Sequence, residues 1–105
     1  MLEKDIEKYF MRRVAQIGGR AYKFVSPSNR GVADRVVCLP DGTTHFVELK
    51  RPGGKLSPLQ LQFAIEMKRL GQSYDCLWST DGVDNWILDH TSTTPPISSS
   101  PMIGR

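Results

Sequence analysis

The chain has 105 residues, with 14 Lys and Arg against 11 Asp and Glu, a formal charge of +3 and a pI of about 9.1. At 39% hydrophobic and 24% charged, with 9 Gly and 7 Pro, its composition is that of one folded domain and excludes a disordered, fibrous or collagen-like chain. No apolar run approaches the roughly 20 residues of a membrane span, and the N-terminus is amphipathic rather than signal-like, so a cytoplasmic protein with no membrane partner is expected. Cys38 and Cys76 lie in apolar runs without metal-ligand spacing; both read as core residues, with neither a disulfide framework nor a zinc site. Residues 1–55 carry 11 basic and 6 acidic side chains, whereas 56–105 carry 3 and 5, so any anionic partner belongs to the first half.

Leu2, Ile6, Tyr9, Phe10, Val14 and Ile17 share one helical face, and Gly18-Gly19 ends the helix. Arg20 to Val25 reads as a strand, followed by the turn-rich stretch Ser26 to Gly31. Arg35–Leu39 and Thr44–Leu49 form an antiparallel pair joined by a tight turn at Pro40 to Thr43. Ser57-Pro58 supplies an N-cap and a first-turn proline, predicting a helix over Pro58–Leu70 with Leu59, Phe63, Met67 and Leu70 as its buried stripe. Ser73–Trp78 is a fourth strand. Thr80-Asp81 is the expected cap of a short helix containing Val83, Trp86, Ile87 and Leu88. Residues 91–105 hold 10 Ser, Thr or Pro and are expected to be a disordered tail to a domain over 1–90.

The residues that carry chemistry are Asp34, Glu48 and Lys50. Strand alternation puts Glu48 and Lys50 on one face while Val47 and Leu49 take the other. If Pro40 and Thr43 flank the turn as partners, Asp34 faces Leu49 and lies diagonal to Glu48; a one-residue bulge instead sets the two carboxylates directly opposite. Either arrangement brings them within reach of one ion. Two carboxylates held together repel, and a hard divalent cation such as Mg2+ or Mn2+ removes that cost. The ordinary alternative is a solvated sheet face with a turn aspartate.

The order α-β-β-β-α-β, with acidic residues on the second and third strands, resembles the PD-(D/E)XK nuclease superfamily, an α/β class with a mixed sheet flanked by helices. More narrowly, Gly31-Val-Ala-Asp34, Phe46-Val-Glu-Leu-Lys50 and Leu56-Ser-Pro-Leu-Gln60 resemble the VRR-NUC family, the virus-type replication and repair nucleases, over about residues 3–90. Ala33 stands where many relatives have proline. The resemblance implies that Asp34, Glu48 and the Leu49 backbone carbonyl bind Mg2+ or Mn2+, and that Lys50 orients the attacking water and stabilises charge on the phosphate. It places the family's helix-one glutamate on Glu7, with Glu3 as the alternative, and its glutamine on Gln60, bonding near the site to the phosphate or to Lys50. Lys23, Ser26, Ser28, Asn29, Arg30, Arg51 and Lys55 flank the site as candidate contacts to DNA phosphates.

The same resemblance implies a homodimeric endonuclease acting on branched DNA, specifically four-way (Holliday) junctions, in a bacterial or phage-infected cell. The alternatives are a flap or general DNA nuclease of this fold and a non-catalytic nucleic-acid-binding module. A double-stranded RNA-binding domain shares α-β-β-β-α, yet it needs lysines at the start of its last helix, where this chain has Ser57 to Gln62.

Overall fold

The structure is a computed structural model and describes residues 1–91. Helix α1 (Glu3–Gln16) leads into β1 (Arg20–Lys23), β2 (Arg35–Cys38) and β3 (Thr44–Leu49), then helix α2 (Pro58–Arg69), β4 (Tyr74–Leu77) and helix α3 (Thr80–His90). The strands form one sheet in the order β1-β2-β3-β4. The first three are antiparallel, and β4 runs parallel to β3 because α2 serves as the crossover between them. The expected mixed sheet flanked by helices is the observed architecture. Of the tail expected over 91–105, Thr91 is the C-cap of α3, its Oγ1 donating to Ile87 O at 2.9 Å, and the remainder lies outside the described residues.

Alternation along β3 divides the molecule into two layers. Val47 and Leu49 join Ile6, Phe10, Val14, Val37, Val83, Trp86 and Ile87 in the larger core, beneath α1 and α3. Phe46 faces the opposite way and packs with Phe63, Met67, Ala64 and Tyr74 beneath α2. Glu48, on the Phe46 face, is therefore drawn under α2.

Several expectations about packing are corrected. The sheet-facing stripe of α2 is Gln60, Phe63, Ala64 and Met67, spaced for one helical face, whereas Leu59 and Leu70 are 44% and 49% exposed. Rotation of the helix to bring small Ala64 down onto the sheet turns Leu59 outward. The cap of α3 is Ser79, whose Oγ accepts from Gly82 N–H at 2.9 Å, and not Thr80-Asp81, which form the helix's first turn. Cys38 is exposed and Cys76 half-buried, so neither is a deep core residue. Val37 and Leu39 take the inward positions beside Cys38, and α2 packs on β4, too far across the sheet to cover it. The first strand stops at Lys23, leaving Val25 exposed in the loop.

The β2–β3 turn decides the register. Leu39 N–H donates to Thr43 O at 3.0 Å, and Gly42 completes the turn at φ +88°, a conformation open to glycine at little cost. Arg35 pairs with Val47 and Val36 with Phe46, so the next position sets Asp34 opposite Glu48, the bulged one of the two registers considered.

Candidate active site

Asp34 precedes β2 and is held from both sides. Its carbonyl accepts from Phe24 N–H at 3.0 Å, and its Oδ2 accepts from Leu49 N–H at 2.9 Å. An extended residue sends its N–H and C=O toward the same neighbouring strand, so the Leu49 carbonyl leaves β3 on the Asp34 side. Gly31, at φ +86°, lets this loop press onto the start of α2: a Cβ there would stand 2.5 Å from the Leu59 carbonyl group.

Glu48 is 1% exposed. Its Oε2 accepts from Gln60 Nε2 at 3.1 Å and lies 3.7 Å from Lys50 Nζ, while its Oε1 is buried without a hydrogen-bond partner. Burial, and then the Asp34 carboxylate beside it, push the Glu48 carboxyl up to about 8, against the opposing charge of Lys50. Lys50 leaves the sheet here, its N–H bonded to Leu77 O at 2.9 Å.

Gln60 performs two tasks. Its Oε1 accepts from Ser57 N–H at 2.8 Å while Ser57 Oγ accepts from Gln60 N–H at 3.2 Å, a reciprocal cap that fixes the first turn of α2. With the amide oxygen engaged in the cap, the NH2 group is turned onto Glu48. Its protein partner is thus Glu48 and not Lys50.

The helix-one acids divide. Glu7 Oε2 accepts from Arg35 Nε at 2.8 Å, an ion pair on the α1 side of the sheet. Glu3, one turn earlier, adds its negative charge to the field that raises Glu48 and Cys76. Lys23, Ser28, Asn29, Arg30, Arg51 and Lys55 are exposed and Ser26 is half-buried, in or beside two loops at the sheet end that carries Asp34 and Glu48. Asn29 Nδ2 donates to Ser26 Oγ at 3.3 Å, and Arg51 Nη1 reaches Pro52 O at 3.5 Å.

Sequence reasoning gave three residues no part in the site. Trp78 Nε1 donates to Gly54 O at 2.8 Å and ties the basic loop after Lys50 to the end of β4. Tyr74 and Cys76 share the Glu48 face, and Cys76 lies opposite Glu48 in the ladder, where burial pushes its thiol up to about 12. The alternation of β4 was the available signal for both.

No cluster of three or more His, Cys, Asp and Glu side chains converges among the described residues. Two adjoining carboxylates and a partnerless buried carboxylate oxygen nevertheless suit a small hard divalent cation. Such an ion commonly takes one or two carboxylates and completes its shell with water and substrate phosphate.

No family model matches this chain. A curated relative, "Putative nuclease p44" of Acyrthosiphon pisum secondary endosymbiont phage 1, is 49% identical over 79 residues, covering 75% of this chain and 85% of that protein. A solved structure described as a VRR_NUC domain superposes with a TM-score of 0.78 at 28% identity, covering 86% of this chain and 97% of that one.

Proposed function

The chain belongs to the VRR-NUC nucleases, with a fold of the PD-(D/E)XK type, and from that premise we propose that it is a divalent-metal-dependent endodeoxyribonuclease that resolves four-way DNA junctions as a homodimer. The observation that carries the chemistry is Glu48: a buried carboxylate opposite Asp34, with a free oxygen and Lys50 beside it. An arrangement that raises a carboxyl to about 8 is costly unless positive charge arrives.

Asp34, Glu48 and the Leu49 carbonyl hold Mg2+ or Mn2+. When bound, such an ion makes water more acidic and offsets charge in an in-line displacement at phosphorus. Lys50 Nζ orients the attacking water against the scissile phosphate and stabilises the negative charge that develops there. Gln60 keeps Glu48 in the rotamer that faces Asp34. Of the helix-one acids, Glu3 is favoured over Glu7 as the outer acid, because Glu7 is occupied by Arg35. Lys23, Arg30, Arg51 and Lys55 grip backbone phosphates without reading sequence, and Ser26, Ser28 and Asn29 add neutral contacts.

The homodimer is supported by exposed apolar side chains on two flanks of α2, Leu61 and Ile65 on one and Leu59 with the capping residue Leu70 on the other, all 44–59% exposed. Beside it an open groove of about 700 Å³ is lined by Phe24, Phe63, Ile65 and Met67, with Arg30 at its edge. A two-fold pairing through α2 would set two cleavage sites around one symmetric junction.

Cleavage of a labelled panel (four-way junction, flap, linear duplex, single strand) with and without Mg2+ or Mn2+, beside light scattering, tests the reading. Paired nicks of opposed polarity in the junction by a particle of dimer mass are expected. A monomer that cuts flaps only would move the function to a flap nuclease, and cleavage unaffected by chelation would remove the metal.

A further inference from the structure

Among the described residues, the buried side-chain polar atoms without a hydrogen-bond partner are Glu48 Oε1 and the Tyr74 hydroxyl. Both belong to the sheet face beneath α2. In the parallel β3–β4 ladder Phe46 pairs with Tyr74 and Glu48 with Cys76, so the two orphaned groups stand one inward position apart on adjacent strands. Tyr74 is 5% exposed and its ring meets Phe63 edge-on at a centroid distance of 6.0 Å, which closes the hydroxyl off from bulk water. A buried hydroxyl left unpaired costs about 1–3 kcal/mol. Burial pushes the phenol up, and the charges of Glu48 and Asp34 push it further, so it remains an O–H donor at working pH and lies within the field of the acidic pair.

Resting on the reading of Asp34 and Glu48 as metal holders, we propose that Tyr74 is a positioning residue whose O–H donates, through one buried water, to Glu48 Oε1. A single water joining a hydroxyl donor to a carboxylate acceptor satisfies both orphans at once. The carboxylate oxygen has lone pairs for both tasks, accepting this bond while it faces the ion. Metal-ligating carboxylates are held by such outer partners, and removing one weakens metal binding by about 10- to 100-fold. In this site Gln60 holds Oε2 and Tyr74 holds Oε1, so the carboxylate is fixed from both ends.

The test is calorimetric titration of the whole chain with Mn2+, and melting of the metal-free protein, for wild type, Tyr74→Phe and Glu48→Gln. Tyr74→Phe is expected to bind Mn2+ about 10-fold more weakly while staying folded, its metal-free melting temperature lowered by no more than one lost hydrogen bond accounts for, and Glu48→Gln to lose binding. Wild-type Mn2+ affinity in Tyr74→Phe alongside lost binding in Glu48→Gln overturns the role of Tyr74 alone. A Tyr74→Phe chain that is largely unfolded at the titration temperature also overturns it, because the lost affinity would then report the fold and not the bond to Glu48. Wild-type Mn2+ binding in Glu48→Gln removes the metal-site reading itself, and the proposal with it.

Discussion

Gln60 Nε2 donates to Glu48 Oε2 at 3.1 Å, joining the first turn of a helix to the third strand of the sheet. The bond depends on the rotation of α2 that buries Ala64 and turns Leu59 outward. One side chain thereby couples the cap of α2 to the orientation of the acid at the centre of the proposed site.

Gln60→Ala removes both halves of that coupling. It should cost about 1 kcal/mol of stability through the lost bond from Ser57 N–H, the backbone N–H at position 60 still capping onto Ser57 Oγ, and lower cleavage as Glu48 loses its donor. Gln60→Glu keeps an acceptor for Ser57 N–H but sets a third carboxylate beside Glu48, so its activity profile should shift to higher pH. Melting curves and pH–rate profiles of the two variants separate the cap from the site.

Asp34→Asn and Glu48→Gln should each lower divalent-dependent cleavage by at least ~100-fold with folding retained, since each keeps its size and loses the charge that holds the ion. Endonuclease assays and circular dichroism measure this. Activity within a few-fold of wild type in either variant would remove that residue from the site.

Lys50→Ala should reduce turnover by about 100-fold while Mn2+ affinity stays within a few-fold, because the role proposed for the ammonium is toward water and phosphate. Lys50 also opposes the rise of the Glu48 carboxyl, so its loss should move the acidic limb of the pH–rate profile upward. Loss of Mn2+ binding with turnover intact would reverse the assignment.

The raised Glu48 carboxyl sets a sign for pH. Its folded value, about 8, exceeds the ordinary 4.5, so the metal-free folded state binds the extra proton. This contribution favours the fold fully below 4.5 and is lost as pH rises toward about 8. Mn2+ affinity should run the other way, rising across the same window with close to one proton released per ion. Calorimetry in buffers of different ionisation enthalpy counts that proton, and Glu48→Gln should abolish the stability slope.

Binding of a four-way junction under non-cleaving conditions should weaken steeply with salt, because the proposed contacts of Lys23, Arg30, Arg51 and Lys55 would displace counterions from phosphates. Replacing any one by alanine should lower the slope of log affinity against log salt by about 1. Fluorescence anisotropy across a salt series reads the slopes, and an unchanged slope excludes that residue from the contact.

Element order was legible in the sequence because it rests on local periodicity. The 3.6-residue spacing of Ile6, Phe10 and Val14, the alternation of β3 and the Ser57-Pro58 start of α2 each act within a few residues of chain. Alternation alone also set Glu48 and Lys50 on one face. The tertiary structure decided the rest. Gly42 fixed the register that puts Asp34 opposite Glu48, where two hairpins had been compatible with the same residues. The packing of Ala64 against the sheet chose Gln60 over Leu59 as the inward residue. Arg35, two strands along from its helix partner, engaged Glu7, while the Glu3 charge contributes to the field at Glu48. Burial, pairing and field at Glu48 are sums over groups distant in sequence, contributed by β2, β4, α1 and α2. A pattern read along the chain identifies the carboxylate, and only the closure of those elements around it makes it a buried acid with one oxygen left to bind.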